Sequence, residues 1–308
     1  MRSNRVLLEI LTVMLVLAPP GVASAKLSVV ATTPELGALA GTIGGASVTV
    51  SVLAKPTEDP HFVDARPSHI VALHHADALI EGGAELELGW LPPLVEGARN
   101  PKILPGTPGQ IVASDGIQLM DIPANADRSR GDVHAAGNPH FMMDPANARL
   151  VARHIANALC QLDAPGCPDY RKNLAAFESR LDAKMVEWSR LLASYKGYQL
   201  VTYHTTWRYF AQRFGLRSEV FLEAKPGIPP SPPHLAEVIE KMNAEKIHVI
   251  LVEPYQSHRI ATTVADHTGA TVVNVAQFPG SLPGTNGDYI ALMDANVKAI
   301  AAALAANR

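Results

Sequence analysis

Short apolar runs alternate along this chain with longer segments in which apolar residues recur every three or four positions. In the first half, the short runs have the length of strands and the longer segments have the spacing of amphipathic helices. The predicted strands are 27–31, 48–53, 78–80 and 110–113, and the predicted helices are 34–43, 67–74, 86–96 and 145–162. This alternation predicts βαβ units and a parallel sheet flanked by helices.

The same alternation returns in the second half of the chain. The predicted strands are 199–203, 247–252 and 271–275, and the predicted helices are 207–214, 234–245, 257–268 and 288–306. A strand followed by a helix in each unit again favours a parallel sheet. The pattern therefore predicts a second α/β lobe.

The longest uninterrupted helical pattern lies between these halves, at 168–195. Its apolar residues recur at steps of three and four, and charged residues fill the positions between them. These apolar residues are Leu174, Phe177, Leu181, Met185, Trp188 and Leu192. Such a helix has about 25 residues and is about 40 Å long. We predict an α/β fold of two lobes at 26–167 and 196–308, joined by this single long rigid helix.

Residues 1–25 have the character of a leader. Arg2 and Arg5 precede an apolar run, and Ala23-Ser24-Ala25 offers a small-residue cleavage site, a pattern typical of a cleavable signal peptide. A membrane anchor needs about 20 apolar residues, but this run ends at Pro19. Because no cysteine follows the cleavage site, we expect a periplasmic protein without a lipid anchor.

Composition and charge exclude several classes of protein. The chain has 308 residues, of which 47% are hydrophobic and 18% are charged, as in ordinary globular domains. Its 29 acidic residues slightly outnumber its 26 basic ones. No basic surface is therefore predicted for nucleic acid or an anionic membrane.

The two cysteines, Cys160 and Cys167, flank the end of one predicted helix and the turn that follows it. In an oxidising compartment we expect them to form one local disulfide. Zinc ligation is the competing interpretation, but two thiols without a nearby histidine pair supply only half of a zinc site.

The twelve histidines fall into three groups. Most lie on predicted helices or beside strands among polar neighbours, where surface or structural roles are usual; these are His69, His74, His75, His154, His234, His248, His258 and His267. His134 lies in an irregular segment and is a candidate accessory group for metal delivery. His61, His140 and His204 lie at loop starts or strand ends. Three imidazoles from distant positions suit a buried transition-metal site.

Four groups of residues together resemble the solute-binding proteins of zinc and manganese ABC transporters. They are Asp59-Pro60-His61-Phe62 with Arg66-Pro67-Ser68, Asn138-Pro139-His140 with Asp144-Pro145, Tyr203-His204-Thr205-Thr206-Trp207, and Val252-Glu253-Pro254. The resemblance covers nearly the whole chain after the leader. It implies two α/β lobes with a metal ion between them.

The resemblance also implies a role and partners. It gives the ligand role to His61, His140 and His204, Zn²⁺ as the bound cargo and an inner-membrane permease as the partner of a monomer. It leaves open a periplasmic metallochaperone as an additional partner. The chain departs from the family at Gly280, where many members have a metal-binding aspartate. The fourth ligand is therefore water or a carboxylate, with Glu58, Asp59 and Glu223 as the candidates.

Ligand chemistry favours zinc over the alternatives. Three neutral imidazoles suit Zn²⁺, whereas Mn²⁺ prefers more oxygen ligands, and Cu²⁺ and Ni²⁺ also accept imidazole. Manganese binding within the same transporter class is the first alternative. A periplasmic zinc hydrolase with three histidine ligands is the second, but the sequence lacks HExxH and similar motifs.

Overall fold

The computed structural model describes residues 26–124 and 134–307. Within these residues the chain forms two four-stranded parallel sheets, with strand orders β2-β1-β3-β4 and β6-β5-β7-β8. The first lobe contains β1 (Leu27–Ala31), β2 (Val48–Val52), β3 (Ala78–Glu81) and β4 (Gln110–Val112), and the second contains β5 (Gln199–Thr202), β6 (Arg217–Phe221), β7 (Val249–Val252) and β8 (Thr271–Asn274). The predicted fold class is confirmed. The predicted signal peptide lies outside the described residues.

Helices cover the sheets and join them. They are α1 (Pro34–Gly44), α2 (Pro67–His74), α3 (Leu91–Ala98), α4 (Pro145–Leu162), α5 (Cys167–Leu192), α6 (Arg208–Phe214), α7 (Pro232–Glu245), α8 (His258–Thr268) and α9 (Tyr289–Ala306). Asp144 caps α4 by accepting a hydrogen bond from the Ala146 N–H, at 2.8 Å, and Asp288 caps α9 in the same way. These caps satisfy backbone donors that would otherwise be unpaired.

The third helix begins later than its sequence pattern indicates. It was expected from residue 86 and to contain Trp90, but α3 begins at Leu91 and residues 84 and 85 have positive φ angles. Glu87 turns back and accepts hydrogen bonds from the Gly82 and Gly83 N–H groups. Residues 86–90 form successive three-residue turns instead, such as the bonds from the Leu88 N–H to the Glu85 carbonyl and from the Trp90 N–H to the Glu87 carbonyl.

Strand β6 was not predicted from the sequence. Its residues alternate between exposed and buried, and the exposed ones include Arg217 and Glu219, which form an ion pair at 2.6 Å. Its buried residues alternate with exposed ones, so one of its faces packs on the core. Two charges in five residues therefore concealed its alternation.

The linking helix α5 is packed into the protein along much of its length. Phe177, Leu181 and Trp188 on one side are buried, and the helix packs against α1, α4 and α9. One continuous apolar cluster includes residues of α5 and of both sheets. The two lobes therefore share a core, and α5 is part of it. The lobe boundaries at 167/168 and 195/196 stay a prediction.

A disulfide joins α4 to α5. Cys160 near the end of α4 and Cys167 at the start of α5 have their sulfur atoms 2.04 Å apart, at bonding distance as expected.

Among the described helices, α9 is the one that is long and apolar enough to cross a membrane. It packs on α5 and α1 as a core helix instead.

Polar contacts also connect the lobes. Arg213 of α6 forms a two-bond ion pair with Asp144, at 2.6 and 2.7 Å. The Tyr209 hydroxyl donates to the Asn138 carbonyl at 2.7 Å and accepts from the Met120 N–H at 2.8 Å. These contacts tie the second lobe to the segment that leads into α4.

Candidate metal centre

The structure brings His61, His140 and His204 together, and we refer to them as the histidine trio. One ligand nitrogen from each lies within 4.8 Å of the other two. Their ring centres are 5.2 Å apart for His61 and His140, 5.5 Å for His61 and His204, and 5.1 Å for His140 and His204. A tetrahedral zinc ion with bonds of about 2.0–2.1 Å would hold imidazole ring centres about 5 Å apart. The trio therefore has the spacing of a metal site.

Each ring is positioned by the backbone structure around it. His61 lies in the turn between β2 and α2, and the Trp90 indole N–H holds that turn by donating to the Pro60 carbonyl at 2.9 Å. His140 lies a few residues before α4, and its N–H donates to the Asn138 side chain at 3.0 Å. His204 comes two residues after the end of β5, at the carboxyl edge of its sheet, where ligands of such sheets bind.

The Nδ1 atom of each ring in the trio has its own polar partner. Asp59 Oδ1 lies 2.8 Å from Nδ1 of His61, and Glu223 Oε2 lies 3.0 Å from Nδ1 of His204. The third partner is the Gln277 amide, whose Nε2 lies 2.9 Å from Nδ1 of His140. Asp59 and Glu223 can accept the Nδ1–H of their rings, which is how metal-ligating histidines are usually oriented.

The Nε2 atoms of the trio have few polar contacts. Nε2 of His61 and of His140 is buried and has no hydrogen-bond partner among the described residues. Nε2 of His204 lies 3.3 Å from the Thr205 hydroxyl. Buried polar atoms without partners are costly, and a metal ion would satisfy them.

Electrostatics keeps this centre ready for a cation. Burial, together with the neighbouring His204 and His61, holds the pKa of His140 well below its ordinary value, so its ring is neutral. For Asp59, burial raises the pKa, but the hydrogen bond and charge of His61 outweigh burial and the pKa lies below its ordinary value. A neutral ligand ring at His140 and an ionised carboxylate behind His61 both suit a divalent cation.

The three candidate carboxylates for a fourth ligand are engaged elsewhere. Asp59 and Glu223 face the Nδ1 atoms described above. Glu58 accepts from the Lys55 N–H at 3.0 Å and lies 3.7 Å from Arg66. Position 280 also resists a ligand, because Gly280 has a φ of +94° and a Cβ there would lie 3.1 Å from the Pro56 ring.

His134 lies beside the trio but outside it. Its ring centre is 5.2 Å from that of His61, and its buried Nε2 has no partner among the described residues. Burial, followed by the neighbouring His61 and His204, lowers the pKa of His134 to about 3. The accessory position expected from the sequence is thus next to His61. The eight histidines assigned to surface or structural roles lie outside the trio.

Among the cavities lined by described residues, two border the trio. The larger, of about 680 Å³, is lined by His61 and His134 and by the exposed side chains of Phe62, Leu88 and Ile228. The smaller, of about 340 Å³, includes His61 and His204 with their carboxylate partners. Both cavities border residues of the trio, whereas Nε2 of His61 and of His140 is itself buried.

The structure adds one residue that the sequence did not single out. Gln277 comes three residues after the end of β8, and its side chain is buried against His140. The signal available in the sequence was its place beyond the carboxyl end of a predicted strand, where site residues are common.

Comparison with known proteins supports a role in metal transport. The family model described as zinc-uptake complex component A, periplasmic, matches residues 29–303. The manganese ABC transporter substrate-binding lipoprotein PsaA of Streptococcus pneumoniae is 25% identical over 91% of this chain and 90% of its own. The iron ABC transporter substrate-binding lipoprotein MtsA of Streptococcus pyogenes serotype M1 is 26% identical over 92% and 90%. A crystal structure of ZnuA, 24% identical, covers 92% of this chain and 100% of its own, with a TM-score of 0.77.

These relatives correct one expectation. PsaA and MtsA are named as lipoproteins, which contradicts a periplasmic protein without a lipid anchor. That expectation was based on residues 1–25 and on the lack of a cysteine after them, which lie outside the fold that the relatives share with this chain. Attachment of a lipid depends on residues at the N-terminus, so the pattern of strands and helices in the two lobes could not predict it.

Family membership distinguishes between the two classes of protein considered for a three-histidine site, a metal-transport protein and a zinc hydrolase. Its members and relatives are solute-binding transport proteins, so the hydrolase alternative is excluded and the chain is not an enzyme. Their names differ in the metal, which is manganese for PsaA and iron for MtsA. The chain belongs to the zinc-uptake complex component A family and is the substrate-binding protein of a metal ABC transporter.

Proposed function

We propose that this protein captures Zn²⁺ through Nε2 of His61, His140 and His204 and delivers it to a cognate permease. The observation that carries the proposal is the trio itself, with ligand atoms within 4.8 Å of one another. Unpartnered Nε2 atoms on His61 and His140 support ligation through that nitrogen, because the Nδ1 atoms are already engaged.

The donor set favours zinc over manganese. Zn²⁺ is well served by neutral imidazoles, whereas Mn²⁺ prefers carboxylate, carbonyl and water oxygens. The nearest carboxylates, Asp59 and Glu223, are occupied by the rings that they orient. Manganese remains the alternative cargo, favoured by the name of PsaA, and it would require one of these carboxylates to turn towards the metal.

We assign the fourth coordination position to water. Glu58 is held by the Lys55 N–H, and position 280 carries no side chain. A water molecule completes a three-histidine zinc site in other proteins. The cavity beside His61 and His134 supplies that water and is the route by which the metal enters and leaves.

The arrangement of the lobes suits delivery to a permease. We propose lobes at 26–167 and 196–308 with a linking helix at 168–195, so that the trio lies between them. Phe62 and Leu88 of the first lobe and Ile228 of the second are exposed around the larger cavity. A permease that covers this rim would seal the metal from bulk water during transfer.

Metal competition tests the proposal. The protein, prepared without a polyhistidine tag and stripped with a chelator, is dialysed against equimolar Zn²⁺ and Mn²⁺, and bound metal is measured by mass spectrometry. We expect one zinc ion per chain and little manganese. Preferential binding of manganese would favour the alternative cargo, and binding of neither metal would reject the trio as a metal site.

A further inference from the structure

The ring partners of the trio are of two kinds. His61 and His204 are each oriented by a carboxylate a short distance away in the chain, Asp59 and Glu223. His140 is oriented by a neutral amide that lies 137 residues further along the chain. Gln277 follows β8 of the second lobe, whereas His140 precedes α4 of the first. Within the part of the chain that the structure describes, this is the ring partner that crosses between the lobes.

An amide serves a histidine differently from a carboxylate. A metal ion on Nε2 requires the ring proton to be on Nδ1, and an ionised carboxylate can only accept that proton. An amide can face Nδ1 with either end: its NH₂ group donates to a bare Nδ1, and its oxygen accepts from a protonated one. Gln277 therefore has a hydrogen bond to offer both ring forms of His140.

The contact between Gln277 and His140 suits either form, because the amide lies 2.9 Å from Nδ1 of the ring and can present its nitrogen or its oxygen there. When the amide nitrogen faces Nδ1, Nδ1 accepts and the ring proton lies on Nε2. When a metal ion replaces that proton, Nδ1 acquires a proton and the amide must present its oxygen. The ring stays neutral throughout, since one proton leaves Nε2 and one joins Nδ1 through solvent.

We propose that Gln277 is the positioning residue of His140 and makes this ring the releasable ligand of the trio. It orients the ring in both the empty and the loaded protein but adds no negative charge that would strengthen the bond to the metal. Because the contact crosses between the lobes, a displacement of the loop after β8 would free His140 and leave the partners of His61 and His204 in place. The inference rests on the proposed zinc function and names the ligand that is released first.

Two substitutions test this role with opposite expected signs. Gln277→Leu removes the ring partner, and loss of such a partner typically weakens metal binding by about 10–100-fold. Gln277→Glu supplies a partner that accepts from Nδ1, so we expect wild-type or tighter zinc binding and slower release to a chelator. Zinc affinity is measured by competition with a chromophoric chelator, and release by stopped-flow mixing.

A spectroscopic readout separates positioning from packing. Bound Co²⁺ gives intense visible bands when tetrahedral and weak ones when its coordination expands, so a displaced His140 ring would change the spectrum. We expect an altered spectrum for Gln277→Leu and the wild-type spectrum for Gln277→Glu. The matched control is Gln199→Leu, which removes a similarly buried glutamine whose amide donates to the Leu200 carbonyl. It should leave affinity and spectrum unchanged.

The outcomes separate this inference from the proposed function. If wild-type protein binds no zinc, the function fails and the inference fails with it. If wild-type protein binds zinc and His140→Ala does not, but Gln277→Leu keeps wild-type affinity and spectrum, only the inference is overturned. It is equally overturned if Gln277→Leu weakens binding and Gln277→Glu fails to restore it, because the role of Gln277 would then be structural.

Discussion

Glu223 Oε2 lies 3.0 Å from Nδ1 of His204, on the side of the ring away from Nε2. We predict that Glu223→Gln weakens zinc binding by about 10–100-fold, because the ring loses the negative charge that makes it a stronger ligand. Chelator competition measures the effect. Glu219→Gln, which alters an exposed carboxylate paired with Arg217, is the control. Equal affinities of the two variants would remove Glu223 from the site.

The trio should be required for binding but not for folding. His61→Ala, His140→Ala and His204→Ala should each weaken zinc binding by orders of magnitude, because each removes one of three imidazole ligands. The circular dichroism spectrum should be retained, since these rings extend from loops and not from the apolar core. His267→Ala, on the surface of α8, is the control. A trio variant that keeps wild-type affinity would not carry a ligand.

Glu253 should make stability depend on pH. Its side chain is buried and accepts from the Trp207 indole at 2.9 Å, and burial raises its pKa from 4.5 to about 8. Between these values the folded protein holds a proton that the unfolded chain loses. The contribution of Glu253 to the free energy of unfolding is therefore fully present below about pH 4.5 and is lost as pH rises through about 8.

Glu253→Gln isolates that contribution, because glutamine has no proton to lose. The melting temperature of the variant relative to wild type should rise between pH 5 and pH 8, while zinc affinity stays nearly unchanged. Differential scanning calorimetry of metal-free protein measures the difference. A difference that does not vary with pH would show that Glu253 is not a buried neutral acid.

Loading with metal should change the overall shape only slightly. The lobes share one apolar cluster through α5, and Arg213 and Asp144 tie them at 2.6 and 2.7 Å. Moving the lobes apart would break these contacts, so we expect the lobes to move only slightly when the metal binds. Small-angle scattering should give nearly equal radii of gyration for empty and zinc-loaded protein. A clear contraction on loading would contradict the shared core.

Most of the fold followed from periodicity, because strands and helices that are buried on one side carry their pattern in the sequence. The linking helix is the clearest case, since Phe177, Leu181 and Trp188 lie on its buried side as their spacing indicates. Strand β6 was not predicted, because two of its five residues are the charged Arg217 and Glu219 on its exposed face. The start of α3 was predicted too early, because residues 84 and 85 have positive φ angles and the Glu87 side chain binds the backbone before it, which a periodic pattern does not reveal.

The site was predictable in part. His61, His140 and His204 stood out by their places at loop starts and strand ends, and the structure brings them together. Their partners were harder to foresee. Asp59 and Glu223 were considered as ligands, whereas each faces Nδ1 of a histidine. Gln277 meets His140 across 137 residues, and nothing local in the sequence indicates a contact of that range.

The shared core has a consequence for transport itself. If the empty and the loaded protein have nearly the same outline, a permease cannot select the loaded one by shape and must sense the charge or ring positions at the trio. The unloaded protein should then occupy the same docking face and compete with its loaded counterpart. Uptake would depend on the fraction of binding protein that carries metal, and excess empty protein would slow the transporter.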